Sequence, residues 1–249
     1  MQLFDLTGRR ALITGSSQGI GLALAKGLAE AGAAIVLNGR DTRKLQAAAA
    51  ESPGAQVLAF DVTDHAAAGA AIDRFEAEFG AIDILVNSAG MQFRAPLEDF
   101  PADAFAMLLQ TNVASVFNVG QAVARHMIKR GAGKIINIAS VQTSLARPSI
   151  APYTATKGAV GNLTKGMCTD WAKYGLQCNA IAPGYFDTPL NAALVADDTF
   201  SAWLEKRTPA GRWGRVEELV GACVFLASPA SSFVNGHTLY VDGGVTASL

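Results

Sequence analysis

Cysteine is scarce in this chain, with three in 249 residues: Cys168, Cys178 and Cys223. Their number is odd, none stands in C-x-x-C spacing and their surroundings are apolar. That excludes a disulfide framework as the organising principle and points to structural thiols in a reducing compartment. Histidine is equally sparse. His65, His126 and His237 are scattered without metal-ligand or Ser-His-Asp spacing, so surface or packing roles are expected and no metal site is. Lys and Arg form no cluster and the formal net charge is -1, which removes the basic face a nucleic-acid partner needs. No apolar run reaches membrane-spanning length, and the opening MQLFDLTGRR carries an acid where a signal peptide would be apolar. A cytoplasmic protein with no membrane partner is expected. No Pro/Gly/Ser tract, charge block or internal repeat divides the chain, so residues 1–249 read as one domain.

What is present is apolar material, 50% of the residues, enough for a substantial core. Short β-branched runs fall at 9–14, 33–38, 56–62, 82–87, 134–140, 177–182 and 237–241. Each is apolar on both faces, as strands of a parallel sheet covered on both sides should be. Ala-rich helical candidates lie between them, near 19–31, 42–51, 64–79, 103–130, 153–174 and 215–227. This alternation predicts βαβ units and a doubly wound α/β sheet with helices on both faces. The helices at 105–127 and from Tyr153 are apolar on more than one stripe, which fits either deep burial or an interface between subunits.

The turn Thr14-Gly15-Ser16-Ser17-Gln18-Gly19-Ile20-Gly21 follows the first strand and opens a helix. Gly15, Gly19 and Gly21 let the backbone turn tightly and approach a pyrophosphate, and the helix start offers free N–H groups; Ser17, Gln18 and Ile20 share that loop. About 20 residues on, a dinucleotide fold reads the ribose: an acid selects the 2'-hydroxyl, an Arg the 2'-phosphate. Here stand Asn38-Gly39-Arg40-Asp41, so Arg40 predicts NADP, with NAD as the lesser possibility. Arg40 also reads as a solvent-facing loop residue with Asp41 capping the next helix. Asp61 and Val62 close the third strand near the adenine edge, and Asp61 reads equally as a turn residue.

In YTATK, Tyr153 and Lys157 stand four apart and fall on one helix face. By itself the pair is either a solvated face or an acid with a lowered pKa. In combination with Thr14-Gly15-x-x-x-Gly19-Ile20-Gly21, Asn87-Ser88-Ala89-Gly90, Asn112, Ser140 and Pro183-Gly184, it resembles the short-chain dehydrogenases/reductases over nearly the entire chain. The resemblance implies a Rossmann fold with a seven-stranded parallel sheet, a nicotinamide cofactor and a homotetramer built through the two long helices. It makes Tyr153 the general acid of ketone reduction and the base of alcohol oxidation, with Lys157 expected to lower the phenol's pKa by about two to three units. Ser140 would bind the carbonyl oxygen, and Asn112 would anchor a water that relays protons from Lys157; Asn112 also reads as a buried amide satisfied by backbone. Asn87, Ala89 and Gly90 would line the cofactor, with Ser88 where Asn is more frequent. Pro183, Gly184 and Thr188 would contact the carboxamide end of nicotinamide, although Pro-Gly is also a simple turn.

Longer tracts, among them APGYFDTPL and FSAWLEKRTPAGRWG, resemble the branch of that family that interconverts gluconate and 5-ketogluconate. A sugar acid needs a cation and several polar groups, and Arg94, Gln142, Arg147 and Tyr185 lie in loops after strand ends where they could supply them, or sit at the surface. Phe93 stands where that branch has a second basic residue and Ser144 where it has an acid, which makes the pocket less polar; Gln18 replaces a basic residue of NADP-preferring members. Residues 188–212, with Trp203, Pro209 and the nearby Trp213, are expected to form a lid over the substrate. The expected function is NADP(H)-linked interconversion of a ketone and a secondary alcohol by hydride transfer on a small molecule, a sugar acid such as gluconate or 5-ketogluconate. Reduction of a 3-oxoacyl thioester or cyclic ketone, and a non-catalytic NADP-binding regulator, are the other readings.

Overall fold

The computed structural model describes residues 2–249. Seven strands form one sheet: β1 (Arg10–Ile13), β2 (Ala34–Leu37), β3 (Gln56–Val57), β4 (Ile84–Asn87), β5 (Gly133–Ile138), β6 (Leu176–Pro183) and β7 (Thr238–Val241). They lie in the order β3-β2-β1-β4-β5-β6-β7, and every neighbouring pair is parallel. Side chains alternate between two cores: in β1, Leu12 enters one while Ala11 and Ile13 enter the other.

The connecting helices are α1 (Gly19–Glu30), α2 (Thr42–Ala50), α3 (His65–Phe79), α4 (Ala102–Leu109), α5 (Ser115–Arg130), α6 (Ala151–Trp171), α7 (Ala192–Val195), α8 (Asp198–Arg207) and α9 (Val220–Ala227). Leu24 and Leu28 of α1, Leu45 of α2 and Leu226 of α9 cover one face of the sheet. Ile72 and Phe75 of α3, Val119 and Val123 of α5 and Val160 of α6 cover the other. Both faces are therefore dry, which is why the strands read as continuous apolar runs. This is a single doubly wound, Rossmann-like α/β domain.

Four elements differ from their sequence reading. The strand expected over 56–62 ends after Val57. Leu58 N still bonds Leu37 O at 2.9 Å, but the Asn38 amide then takes the Leu58 and Phe60 carbonyls at 2.9 and 3.3 Å, and a side chain replaces the ladder. The helix expected over 103–130 is interrupted by a π-turn, Gln110–Ala114, that carries Asn112. The segment 153–174 starts earlier, at Ala151 with Pro152 in its first turn, where a missing N–H costs nothing; 215–227 opens with a 3-10 turn, Val216–Leu219.

Candidate active site

The strand order reverses between β1 and β4, and a cleft of about 580 Å³ opens there, bordered by residues that follow β1, β4, β5 and β6. At its nucleotide end the β1–α1 turn is held shut by Thr14, whose buried Oγ1 accepts from Ser88 N and Ala89 N at 3.0 and 3.1 Å. Gly15 has φ +63°, and a Cβ there would lie 2.7 Å from Ala89 Cα; one on Gly21 would lie 2.5 Å from Gly15 O. Only a bare backbone lets α1 close so tightly on the turn. Gln18, the N-cap residue of α1, makes no side-chain cap, so the first-turn N–H groups border the cleft uncapped alongside Ser17, Gly19 and Ile20. That cradle suits a pyrophosphate.

Arg40 lies on the adjoining wall, exposed, with Nη1 3.6 Å from Asp61 Oδ2. Asp41 indeed caps α2, accepting from Arg43 N and Lys44 N at 3.0 and 3.2 Å. Asp61 is also a turn residue, its Oδ1 accepting from Thr63 N and Oγ1 at 2.9 and 2.8 Å. Burial works to raise the Asp61 carboxyl, but the Thr63 bonds and the Arg40 charge outweigh it and hold it below its ordinary value. Asn38 and Val62 line this end, as does Lys44, which sequence reasoning missed because an exposed lysine in a first helical turn has no distinguishing local signal.

At the chemical end Ser140, Tyr153 and Lys157 come together on the cleft wall. Lys157 is buried, and its Nζ donates to Ile138 O at the end of β5 (2.7 Å). Thr143 Oγ1 donates to Lys157 O at 3.1 Å, and Ser140 Oγ accepts from Gln142 N at 3.2 Å, so the turn after β5 is wired onto α6. The electrostatics reverse one expectation. Burial pushes the Tyr153 phenol up to about 12, against the opposing pull of the Ser140 hydroxyl and the Arg94 charge. Burial likewise pushes the Lys157 amine down to about 8. Lys157 Nζ sits 5.7 Å from the centre of the Tyr153 ring and is committed to a carbonyl, so in the protein alone desolvation of the phenolate prevails over its attraction to the ammonium.

Two residues stand elsewhere than expected. The Asn87 side chain turns from the cleft into the core, donating to Asn137 Oδ1 at 2.9 Å, and its successors Ser88, Ala89 and Gly90 line the cleft in its place. Asn112 lies beneath the wall: its Oδ1 accepts from Met91 N at 2.8 Å, and its Nδ2 donates to Met91 O and Thr156 Oγ1 at 2.9 and 3.1 Å. Both of its amide hydrogens and one acceptor position of Oδ1 are used in tying the segment after β4 to α6. Pro183 is the last residue of β6 rather than part of a free turn; Gly184 N continues the ladder to Val241 O at 2.9 Å, and Thr188 lines the cleft beyond it.

Gln142, Arg147 and Tyr185 line the far end. Arg94 stands behind them: burial, then the charge of Arg147, holds its guanidinium below the ordinary arginine value, while Tyr153 and Tyr185 act the other way. Ala95 N bonds Ser149 O at 3.1 Å, which pins the Arg94 loop to the Arg147 loop. Of the departures noted in the sequence, the two that concern the substrate pocket make other contacts: Phe93 packs edge-on against Phe100 at 5.3 Å and Ser144 bonds the Tyr240 hydroxyl. Among the described residues no three His, Cys, Asp or Glu side chains converge as a metal site, and no helix is long and apolar enough to cross a membrane.

Comparison with known proteins agrees with this geometry. A family model described as enoyl-(acyl carrier protein) reductase matches residues 15–246. The chain is 62% identical over 251 residues to the gluconate 5-dehydrogenase of Gluconobacter oxydans (strain 621H), covering 99% of this chain and 98% of that protein. It is 49% identical over 251 residues to the 5-keto-D-gluconate 5-reductase of Escherichia coli (strain K12), covering 99% of each. The crystal structure of a gluconate 5-dehydrogenase from Burkholderia cenocepacia J2315 in complex with NADP and tartrate superimposes with a TM-score of 0.97 at 63% identity, covering 100% of this chain and 99% of that one.

Proposed function

The chain belongs to the short-chain dehydrogenase/reductase family of oxidoreductases, and from that premise we propose that it interconverts gluconate and 5-ketogluconate with NADP(H). The observation that carries the substrate class is the pair of guanidiniums at the Tyr153 end of the cleft. The Ala95 N–Ser149 O bond pins the Arg94 and Arg147 loops together, Arg147 lines the cleft, and neither arginine forms an ion pair with an acid among the described residues. Two like charges held together without an acid favour an anion, and a carboxylate satisfies them. Gln142 and Tyr185 supply polar groups for hydroxyls. NADP is supported by Arg40 on the nucleotide wall and by the cofactor in the Burkholderia relative.

When bound, the nicotinamide cofactor supplies or accepts the hydride at the carbon that changes oxidation state. The residues of the chain manage the oxygen. In reduction, Ser140 Oγ–H donates to the substrate's carbonyl oxygen and holds it near the phenol, and Tyr153 gives that oxygen its proton as the hydride arrives. The phenol's high resting pKa keeps it protonated for that task. Lys157, charged below about 8, favours the phenolate left behind. In oxidation the same groups act in reverse. With both amide hydrogens of Asn112 committed, the residue can hold the water that relays protons toward Lys157 only as an acceptor.

Residues 188–212, containing α7 and α8, serve as the lid. A homotetramer through the long helices is supported by Phe105, Met107, Leu109 and Phe117, which α4 and α5 leave exposed. Three free cysteines support a cytoplasmic setting. Comparing NADPH consumption with 5-ketogluconate, an acetoacetyl thioester and a small apolar ketone tests the reading: the sugar acid should lead, and no turnover of it would remove the assignment.

A further inference from the structure

Arg147 is held in an unusual way for a half-buried cation. Its Nε is buried without a partner, and Nη1 makes one long bond, 3.4 Å to Pro148 O. What faces the guanidinium is an aromatic ring: its central carbon lies 5.4 Å from the centre of Phe200, in α8. That ring is itself wedged. Phe200 stands 5.2 Å from Trp203, 5.8 Å from Tyr185 and 6.1 Å from Trp213. Trp213 Nε1 in turn donates to Ser201 Oγ at 3.1 Å, which clamps α8 against the loop that follows it.

An acid in this position would fix the guanidinium but also cancel its charge. A π face attracts and orients the cation while leaving its N–H edge and its charge available to an anion. We propose that Phe200 is a positioning residue for anionic substrates: its ring holds the Arg147 guanidinium where the substrate's carboxylate meets it, and so sets the preference for acids over uncharged polyols. This rests on the sugar-acid reading above. It also gives the lid a role in selectivity, because the ring that orients the cation belongs to α8 and its neighbour Tyr185 to the cleft wall. Leu or Met at 200 keeps an apolar contact but removes the π face; Tyr keeps the face.

The test is steady-state reduction at saturating NADPH by the intact enzyme, using 5-ketogluconate and L-sorbose, which has the same carbon skeleton with an alcohol in place of the carboxylate. Phe200→Leu should raise KM for 5-ketogluconate about fivefold, with kcat and the KM for NADPH within about twofold, as expected for loss of one cation–π contact that acts equally on ground and transition states. Phe200→Met, a second replacement of similar bulk, should match it, and Phe200→Tyr should restore the wild-type value. An unchanged KM in both apolar variants, a failure of Tyr to restore it, or an equal rise for L-sorbose would overturn the role given to Phe200. A wild type that does not prefer 5-ketogluconate to L-sorbose would instead remove the sugar-acid reading beneath it.

Discussion

Lys157 donates its ammonium to the Ile138 carbonyl at 2.7 Å while standing 5.7 Å from the centre of the Tyr153 ring. One turn of α6 puts both side chains on one face, and the end of β5 then anchors the amine. With the phenol pushed up to about 12 and the amine down to about 8, the pair rests near neutrality as phenol and ammonium. That is the state a proton donor needs.

The pH dependence of reduction follows from those values. Tyr153 stays protonated throughout, so kcat/KM for the ketone should be level near neutrality and fall as pH rises through about 8, where Lys157 loses its charge. Oxidation needs the phenolate and should rise with pH instead. Lys157→Met should remove the inflection and lower kcat about a hundredfold, and Tyr153→Phe should lower it about a thousandfold. Profiles in both directions check this, and an unchanged reductase rate in Tyr153→Phe would exclude it as the donor.

The same amine links stability to pH in the cofactor-free protein. Its folded pKa, about 8, lies below the ordinary 10.5, so between those values the unfolded chain holds a proton the folded chain has lost. Stability from this group therefore rises with pH across that window, and below about 8 the folded state carries the full cost of the buried charge. Lys134 is likewise held near 8 by burial and acts in the same direction. Lys157→Met isolates the first contribution: the melting temperature of the wild type should gain on that of the variant between pH 8 and 10. A constant difference would show that the amine is not perturbed.

Arg40→Ala should reduce kcat/KM with NADPH by about 10- to 100-fold, the worth of a charge-assisted phosphate contact, and change that with NADH less than about threefold. Kinetics with both cofactors decide it. A clear wild-type advantage for NADH would refute the preference.

A methyl group on Gly21 would meet Gly15 O at 2.5 Å. Gly21→Ala should push α1 off the turn, weaken NADPH binding at least about tenfold and cost about 1–3 kcal/mol of stability. Gly69→Ala in α3, where an added Cβ meets nothing within 4 Å, is the control and should be neutral or slightly stabilising. Calorimetry with and without NADPH measures both.

Phe117, 45% exposed on α5, lies on the apolar face assigned to subunit contact. If the proposed homotetramer forms through this face, Phe117→Asp should lower the mass measured by light scattering toward that of a dimer or monomer. An unchanged mass would move the interface elsewhere.

The order of strands and helices, the Gly15–Gly21 turn and the shared face of Tyr153 and Lys157 were all legible before folding, because periodicity, turn chemistry and helical spacing are properties of residues close in the chain. Tertiary structure alone decided the rest. It stopped β3 by turning the Asn38 amide onto the Leu58 and Phe60 carbonyls, sent Asn87 to Asn137, and brought Lys44 to the cleft. It set the direction of the Tyr153 shift, since burial is contributed by elements that meet only in the folded sheet. It also placed Phe200 against Arg147, two residues whose separation along the chain carries no local signal; a contact of that kind exists only once packing has closed the loop between them.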